Sequence, residues 1–334
     1  MKFTLSILVA ASTLALLSAC GGGGDSTPTP PGKTPVAITP TNQADVARAS
    51  VNGGLAVSLA QGALGGGATP ASVTSRSHAL GVALQRALQA ATRQRMGIAS
   101  ATVHPAALAT DVRACDVSGT LTTAINDKDG NSQLSSGDVL TGTFANCKES
   151  ATLSVNGTVV ITITATPTAT QFSASAQFQN LAVQDSGVTS TLAGTVAIAE
   201  TDMTTLTDTT ITVGAGGLNA TMASASYNDA VAFESGMVIT TSVIGTSSTF
   251  SVSLAGSLTA QSIGGRVTLA TPVAFSQGFT DTYPSSGQLR ITGASGSTLL
   301  VTALSATQVQ LQLDANGDGS YESTSTVPWT TLVP

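Results

Sequence analysis

The fold follows from one stretch of the chain, which begins as Cys115-Asp-Val-Ser-Gly-Thr-Leu-Thr-Thr-Ala-Ile125. It continues as Asn126-Asp-Lys-Asp-Gly-Asn-Ser-Gln-Leu-Ser-Ser-Gly-Asp138 and ends as Val139-Leu-Thr-Gly-Thr-Phe-Ala-Asn-Cys147. The Thr-rich outer runs favour the half-buried surface of a β-sheet, whereas the Asp- and Gly-containing middle favours a turn. Because the midpoint between the cysteines falls in the acidic segment, a hairpin folded there brings the two thiols face to face. The stretch therefore predicts a β-hairpin with an acidic tip and a cysteine at each outer end.

The chain after Cys147 repeats the alternation of apolar and polar residues that is typical of strands. The clearest run places Val309, Leu311 and Leu313 between glutamines. Turn signals such as Asn156-Gly157 and Asn316-Gly317 separate the runs at short intervals. One apolar face, one polar face and short connections predict an antiparallel meander of about twelve to fifteen strands. Other alternating runs cover residues 159–165, 172–178, 192–198, 250–254 and 289–291.

Short motifs recur along this region. Phe144-Ala-Asn146 returns as Phe178-Gln-Asn180, 34 residues later, and Val155-Asn-Gly-Thr-Val159 returns as Leu192-Ala-Gly-Thr-Val196, 37 residues later. Because the spacing drifts, the motifs indicate a repeated hairpin and not a solenoid.

Charge is scarce and unevenly distributed. Charged residues make up 9% of the chain, and the formal net charge is −6. Residues 1–113 carry an excess of five positive charges, whereas residues 114–334 carry an excess of eleven negative charges. Since the phosphate backbone of nucleic acids needs a basic surface, the acidic β-region argues against a nucleic-acid partner.

Residues 1–20 have the composition of a targeting segment. Lys2 supplies a positive charge, an apolar run extends from Phe3 to Leu17, and the segment ends as Leu17-Ser18-Ala19-Cys20. This order resembles the signal peptide and lipobox of bacterial lipoproteins. The resemblance implies that Cys20 is lipidated and tethers the chain to a membrane. An ordinary secretory signal with a chance cysteine is the alternative.

A tether is predicted over residues 21–40, which are rich in glycine and proline. Gly21 follows the cysteine where aspartate would favour retention at the inner membrane in enteric bacteria, so we expect the outer membrane of a bacterial cell envelope. Export also predicts that Cys115 and Cys147, the two cysteines left after Cys20, form a disulfide. A metal thiolate or a catalytic thiol is disfavoured because neighbouring His or Cys ligands are lacking.

Residues 41–113 are rich in Ala, Leu, Gln and Arg and predict one or two helices. A first helix is expected to run from Thr41 or Asn42 towards Gln61, with an interruption at Gly53-Gly54. A second helix over Ser77–Met96 places Leu80, Leu84 and Leu88 on one face. We expect that face to pack on the sheet. The alternative is a basic amphipathic helix that touches anionic lipid.

The acidic tip of the first hairpin spaces short oxygen-bearing side chains over twelve positions. It resembles the EF-hand Ca²⁺ loop, although Ser132 stands in place of the central glycine and Asp138 in place of the final glutamate. A solvated hairpin turn is the alternative. The ligands that the resemblance implies are Asp127, Asp129, Asn131, the carbonyl of Gln133, Ser135 and Asp138.

A second loop begins with the same theme, Asp-Ala-Asn-Gly-Asp-Gly, at residue 314. Its Gly319 has the EF-hand position, but Ser325 is a poor final ligand, and Glu322 is expected to substitute for it. An Asn-Gly or Asp-Gly hairpin turn is the alternative. The implied ligands are Asp314, Asn316, Asp318, Ser320 and Glu322.

Common catalytic signatures are missing from the sequence. It contains no Gly-x-Ser-x-Gly, His-Glu-x-x-His or Gly-Lys-Ser/Thr motif, and its two histidines, His78 and His104, lack a catalytic context. The sequence therefore favours a non-enzymatic structural or interaction role with an envelope protein as partner. The alternatives are a carrier of lipid or another apolar ligand, held between a curved sheet and the Leu80 helix, and an uncharacterised hydrolase.

The sequence as a whole predicts a mainly β protein: a long antiparallel meander, forming a curved sheet or an open barrel, with one or two N-terminal helices packed on it. The expected organisation is a lipoprotein signal peptide over 1–20, a tether over 21–40, a helical segment over 41–113 and a β domain over 114–334. Trp329, the single tryptophan, is expected to fill the core near the last strand.

Overall fold

The computed structural model describes residues 32–58 and 109–333, apart from 132, 169, 186, 204–205, 225–226, 245–247 and 279–280. Cys20, the predicted signal peptide and the predicted helix over 77–96 lie outside the described residues. The mainly β, antiparallel fold is confirmed, because fifteen strands form a single sheet. The strands are β1 Ala109–Ala114, β2 Ser118–Asn126, β3 Val139–Lys148, β4 Ser154–Ala165, β5 Gln171–Asp185, β6 Val188–Met203, β7 Leu206–Ala223, β8 Asn228–Phe233, β9 Val238–Ile244, β10 Thr249–Ala260, β11 Gly265–Gly278, β12 Ser286–Thr292, β13 Thr298–Ala303, β14 Gln308–Asp314 and β15 Ser323–Pro328. Within the described residues the helices are α1 Gln43–Ser58 and α2 Trp329–Leu332, and a 3₁₀ turn lies at Ala294–Gly296.

Each strand pairs with its neighbour in sequence except where β8 and β9 share one position in the sheet. The first half of β7 pairs with β9 and its second half pairs with β8. Strand β10 divides its pairing in the same way. Strands β8 and β9 are therefore two halves of one interrupted strand, and the meander has no crossover.

Alternation along most strands builds the core on one face of the sheet, whereas β8 and β13 each bury three consecutive residues. In β14 the side chains of Val309, Leu311 and Leu313 are buried, whereas the intervening glutamines reach solvent in part or in full. Burying a side chain of this size stabilises the fold by about 1.5–3 kcal/mol. The structure therefore confirms both the strand and the inward face that the period-two pattern predicts.

The recurring motifs form a line of β-bulges across neighbouring strands. Asn146 and Asn180 have left-handed backbone conformations, with φ of 47° and 50°. The ladder register shifts beside each of them. A Cβ on the neighbouring Gly157 would lie 2.4 Å from the carbonyl oxygen of Asn180, so glycine is required there. Phe144 and Phe178 lie opposite Gly157 and Gly194, and an aromatic ring compensates for the side chain that glycine lacks. Bulges increase the local twist, so the repeated motif marks where the meander bends.

Helix α1 runs without interruption through Gly53 and Gly54, so the expected break there is wrong. The reason is packing, because a Cβ on Gly53 would come within 3.2 Å of the Phe233 ring. The helix buries Val46, Ala47, Ala49 and Val51 and contacts strands β8, β9, β10 and β13. Tertiary contacts thus outweigh the roughly 1 kcal/mol that each glycine costs in a helix.

The end of the predicted tether is part of the fold, which corrects the boundary expected at residue 40. The amide of Arg266 donates to the carbonyl of Thr34 (2.8 Å), and the amide of Val36 donates to the carbonyl of Arg266 (3.1 Å). Ile38 is buried, and its amide donates to Ser297 Oγ at 2.9 Å. The expected helical segment also ends earlier than residue 113, because β1 begins at Ala109.

Helix α2 places Trp329 in the core, which confirms that expectation. Trp329 is 1% exposed. Its indole stacks on Tyr283 with ring centroids 6.0 Å apart and meets Phe275 edge-on at 6.3 Å. The indole N–H donates to the carbonyl of Ser305 at 3.0 Å. The tryptophan therefore joins the last strand to two earlier connections.

Candidate metal centres at two hairpin tips

The first hairpin, β2–β3, is clamped at its base as the cysteine positions indicate. Cys115 and Cys147 form a disulfide with their Cα atoms 5.4 Å apart. Both cysteines are buried, and the amide of Cys115 donates to the carbonyl of Gly119 at 3.1 Å. At the far end the pair Asn126↔Val139 closes the loop over residues 127–138, which we call loop 1.

Asp138 organises loop 1 from its last position. This residue has 0% exposure. Its carboxylate accepts hydrogen bonds from the amide of Lys128 (3.0 Å), the amide of Ser135 (2.8 Å) and Ser135 Oγ (3.3 Å). The backbone of Asp138 is itself tied to Ile163 on β4. The acid therefore joins the two ends of the loop and anchors them to the sheet.

The other implied ligands of loop 1 surround Asp129. The Ser135 hydroxyl donates to Asp129 Oδ2 (2.9 Å), and Asn131 donates to Asp129 through its amide nitrogen and its backbone. The hydrogen bond from Ser135, followed by the one from Asn131, lowers the pKa of Asp129 below its ordinary value. The amide of Gln133 donates to Asn131 Oδ1 at 2.6 Å. Short polar side chains thus fix the loop at every second position.

Loop 2, residues 314–322, is organised from its first position. Asp314 is 3% exposed, and its carboxylate accepts from the amides of Gly317 (2.6 Å) and Gly319 (2.8 Å). Both glycines have positive φ, 77° and 89°, which brings their N–H groups inward at no steric cost. Glu322 accepts from the amide of Ala315 at 2.8 Å and closes the loop.

Asp318 occupies the middle of loop 2. Its carboxylate accepts from the amide of Ser320 (2.8 Å) and from Asn316 Nδ2 (3.1 Å). The hydrogen bond from Ser320, followed by the one from Asn316, lowers the pKa of Asp318. Ser325, the residue at the twelfth position, lies in β15 opposite Leu311 and outside the loop.

Each loop brings three carboxylates together. In loop 1 one oxygen from each of Asp127, Asp129 and Asp138 lies within 4.8 Å of the others, and loop 2 does the same with Asp314, Asp318 and Glu322. At such a distance two unit charges repel by about 1 kcal/mol even in water. A carboxylate offers about four acceptor sites, so the hydrogen bonds above leave lone pairs for a cation. The all-oxygen donor set fits a hard divalent ion such as Ca²⁺.

The two loops lie at opposite ends of the sheet. Because hairpins in a meander alternate between ends, and β8 and β9 count as one strand, β2–β3 and β14–β15 turn in opposite directions. The disulfide, loop 2 and the contacts of Thr34–Ile38 share one end, which we call the disulfide end. A Cβ on Gly317 would come within 3.0 Å of Gly296, next to the turn that holds Val36 and Ile38.

A network around a buried acid, which the sequence did not reveal, joins β8 and the β7–β8 connection to the β10–β11 connection. Asp229 is buried, and it accepts from Tyr227 Oη (2.8 Å), the amide of Ser262 (2.9 Å) and Ser262 Oγ (2.6 Å). Burial, reinforced by the Asp229 charge, raises the pKa of Tyr227 well above its ordinary value. Ser262 lies 33 residues from Asp229 in the sequence, so no local motif reveals the network. The network fixes two turns and leaves no carboxylate oxygen in an open pocket.

Comparison of the chain with protein-family models, curated proteins and solved structures found no match. Among the described residues, no helix has both the length and the hydropathy required to cross a bilayer.

Proposed function

We propose that this protein is a lipid-anchored component of the bacterial cell envelope, with a non-enzymatic structural or interaction role and with Ca²⁺ at its two acidic hairpin tips. The observation that carries the proposal is the continuity between the predicted anchor and the sheet. The chain that follows Cys20 is held by the sheet from Thr34 onward.

The integration of Thr34–Ile38 supports a short link between membrane and sheet. A link as long as residues 21–33 would span about 20 Å if it behaved as a random coil and about 45 Å if it were extended. The link enters at the disulfide end, so that end and loop 2 would lie nearest the bilayer, and loop 1 would lie farther away in the strand direction. A rigid sheet on a short link suits a protein that presents its strands and distal loops to a partner in the envelope.

The interaction role is supported by the character of the sheet surface. The outward side chains of the alternating strands are mainly Ser, Thr and Gln, and charged residues are few. The carrier hypothesis places an apolar ligand against the predicted helix over 77–96, which the structure does not describe. Within the described part of the chain, α1 fills the space against β8, β9, β10 and β13.

Calcium would act as a structural ion in this proposal. Asp127, Asp129 and Asp138 would hold it in loop 1, with Ser135 beside them, and Asp314, Asp318 and Glu322 would hold it in loop 2. The ion would cancel the repulsion among three carboxylates and fix each loop to its strands. The chain's own contribution is to gather the acids by backbone hydrogen bonds before the ion binds.

Lipidation is tested by the position of the thiol. We compare the wild-type chain with Cys20→Ser and with the double variant Cys20→Ser/Ser26→Cys, which keeps a thiol outside the motif. Mass spectrometry of the N-terminal peptide should show acyl chains at Cys20 of the wild-type protein. In cell fractionation the wild-type protein should be found with the outer membranes. Both variants should be soluble. Membrane association of Cys20→Ser equal to that of the wild type would reject the anchor.

Calcium binding is tested by scanning calorimetry of the chelated protein with Ca²⁺ added. With dissociation constants of about 10⁻⁴–10⁻³ M and about 10 mM Ca²⁺, each site adds roughly 1.4–2.7 kcal/mol of stability. That corresponds to a rise of several degrees in Tm for a domain of this size. Asp129→Asn and Asp318→Asn should each remove part of the response, and the double variant should remove it all. Asp45→Asn, which changes an acid on α1, is the matched control. An unchanged Tm in Ca²⁺ would reject the metal sites and leave the lipid anchor untouched.

A further inference from the structure

Strand β1 is an edge of the sheet with an exposed surface. Within the described residues it pairs with β2 on one side, in the register Ala109↔Ile125 to Ala114↔Thr120. Val112 is 60% exposed, and Thr110, Arg113 and Ala114 are exposed too. The outer side of an edge strand presents N–H and C=O groups that can pair with a further strand, and Val112 lies in the middle of that strand.

The hydrogen bond at the end of the strand fixes which residues of β1 point away from β2. The amide of Cys115 donates to the carbonyl of Gly119, one step beyond the Ala114↔Thr120 pair. In an antiparallel ladder the hydrogen-bonded positions alternate, so Arg113 and Asp111 direct their N–H and C=O groups to β2. Thr110, Val112 and Ala114 direct theirs to the outer edge. Val112 is the centre of this set.

The charges of β1 are complementary to themselves. Asp111 and Arg113 flank Val112 symmetrically. If a second copy of β1 pairs antiparallel with Val112 opposite Val112, each Asp111 lies opposite the Arg113 of the other copy. These two pairs occupy non-hydrogen-bonded positions, where side chains approach most closely. We propose that β1 is a homodimer interface, formed by antiparallel pairing of two copies about Val112.

The opposite edge of the sheet differs in each of these respects. Strand β15 reads Ser-Thr-Ser-Thr-Val-Pro, without a charged residue. It ends at Pro328, which cannot donate to a neighbouring strand, and α2 follows it directly. Opposite charges placed two residues apart about an apolar centre are therefore a property of β1. A lone lysine on an edge strand would repel the lysine of a second copy, whereas the Asp111 and Arg113 pattern attracts a second copy of the same strand.

The proposed interface is small. Two six-residue strands pair along only about 20 Å, and an interface limited to them lies below the size of stable dimers. The dimer should therefore dissociate on dilution. Its two-fold axis passes between the two Val112 residues, and that symmetry gives a distance test.

The symmetry is tested by single cysteines in the full chain carrying Cys20→Ser, so that the introduced thiol is the one left unpaired. Opposite Cα atoms in a hydrogen-bonded pair are about 5.5 Å apart, within disulfide range. Val112→Cys should therefore form a covalent dimer under mild oxidation. Thr110→Cys, which is also at an exposed position, would face position 114 of the other copy and lie about 13 Å from its own counterpart, so it should stay monomeric. Cross-linking at neither position, or equally at both, would overturn the proposal.

The charges are tested by reversal, with mass measured across a dilution series. Asp111→Arg alone places arginine opposite arginine twice, and Arg113→Asp alone places aspartate opposite aspartate twice. Each should weaken the dimer roughly tenfold. The double variant Asp111→Arg/Arg113→Asp restores both pairs, as does an equal mixture of the two single variants, and both should dimerise like the wild type. A wild-type chain that is monomeric at every concentration would mean that another occupant, such as residues 59–108, covers β1, and would overturn the proposal.

Discussion

The two acidic hairpins solve the same problem in different ways. The β2–β3 hairpin has an acidic tip twelve residues long, and the Cys115–Cys147 disulfide closes its base. The β14–β15 hairpin has a tighter tip and closes its base with a packed tryptophan, Trp329, directly after its second strand. One hairpin depends on a covalent bond and the other on aromatic packing. Gathering three carboxylates at a tip therefore requires a fixed base but no particular kind of clamp.

The tips differ in where the organising acid lies. In loop 1 the buried carboxylate belongs to the last residue, Asp138, and accepts from amides that precede it in the sequence. In loop 2 the buried carboxylate belongs to the first residue, Asp314, and accepts from amides that follow it in the sequence. Loop 2 needs two glycines with positive φ to turn those amides inward. The two loops are alike at their first position, because Asp127 accepts from the amide of Gly130 (2.9 Å) as Asp314 accepts from that of Gly317. They differ in the buried acid that anchors the loop.

The largest effect is expected from the aromatic clamp. Trp329→Ala removes a buried indole and should lower the free energy of unfolding by about 3–5 kcal/mol. Trp329→Phe keeps a ring against Tyr283 but loses the hydrogen bond to Ser305, so its effect should be clearly smaller. Urea denaturation measures both. Equal losses for the two variants would mean that the ring packing contributes little to the clamp.

The disulfide comes next. Cys115→Ala/Cys147→Ala should destabilise by about 3–4 kcal/mol, since the bond closes a loop with a sequence separation of 32. Hydrogen exchange locates the loss: the amides of Lys128 and Ser135 should exchange faster, while those of Gly317 and Gly319 keep their protection. Faster exchange in both loops would show that the two hairpins unfold as one unit.

The buried acids rank third. Asp138→Ala leaves the amides of Lys128 and Ser135 without their acceptor and should cost about 3 kcal/mol in chelator. Asp314→Ala should cost about 1–2 kcal/mol, because the amides that it frees lie in an exposed turn where water can replace the carboxylate. Asp129→Ala is the control for loop 1, since it removes an exposed acid. A larger loss of stability for Asp314→Ala than for Asp138→Ala would contradict the view that Asp138 is the stronger anchor.

The sequence predicted what depends on local pattern. Alternation identified the strands, and cysteine positions identified the clamp, because a hairpin brings symmetric positions together. It also placed Asp127, Asp129 and Asp138 in one loop, and the structure brings their oxygens together. Ser325 pairs with Leu311 and so lies outside the tip of loop 2, whereas one oxygen of Glu322 lies close to those of Asp314 and Asp318. That Glu322 serves as a ligand stays a prediction.

What the sequence missed depends on contacts between distant residues. The uninterrupted course of α1 needs the Phe233 ring against Gly53, and the order of Thr34–Ile38 needs Arg266 and Ser297. The motifs around Asn146 and Asn180 were visible as repeats, but their meaning as bulges appears only when adjacent strands are paired. Propensity and spacing carry no information about such partners.

The smallest effect is the acid sensitivity of the two tips. The pKa values of Asp129 and Asp318 are lowered by the hydrogen bonds of Ser135 and of Ser320. Because the folded protein binds protons less readily than the unfolded chain, both acids stabilise the fold above the ordinary pKa of aspartate, about 4. That contribution is lost as pH falls through the lower folded values. In chelator, stability should decline below about pH 4, and Asp318→Asn should flatten the decline at loop 2, as Asp129→Asn should at loop 1. Both acids are exposed, so solvent screening keeps each change small. If the pH dependence of stability changes in one of these variants and not in the other, the hydrogen bonds to Asp129 and to Asp318 differ in strength.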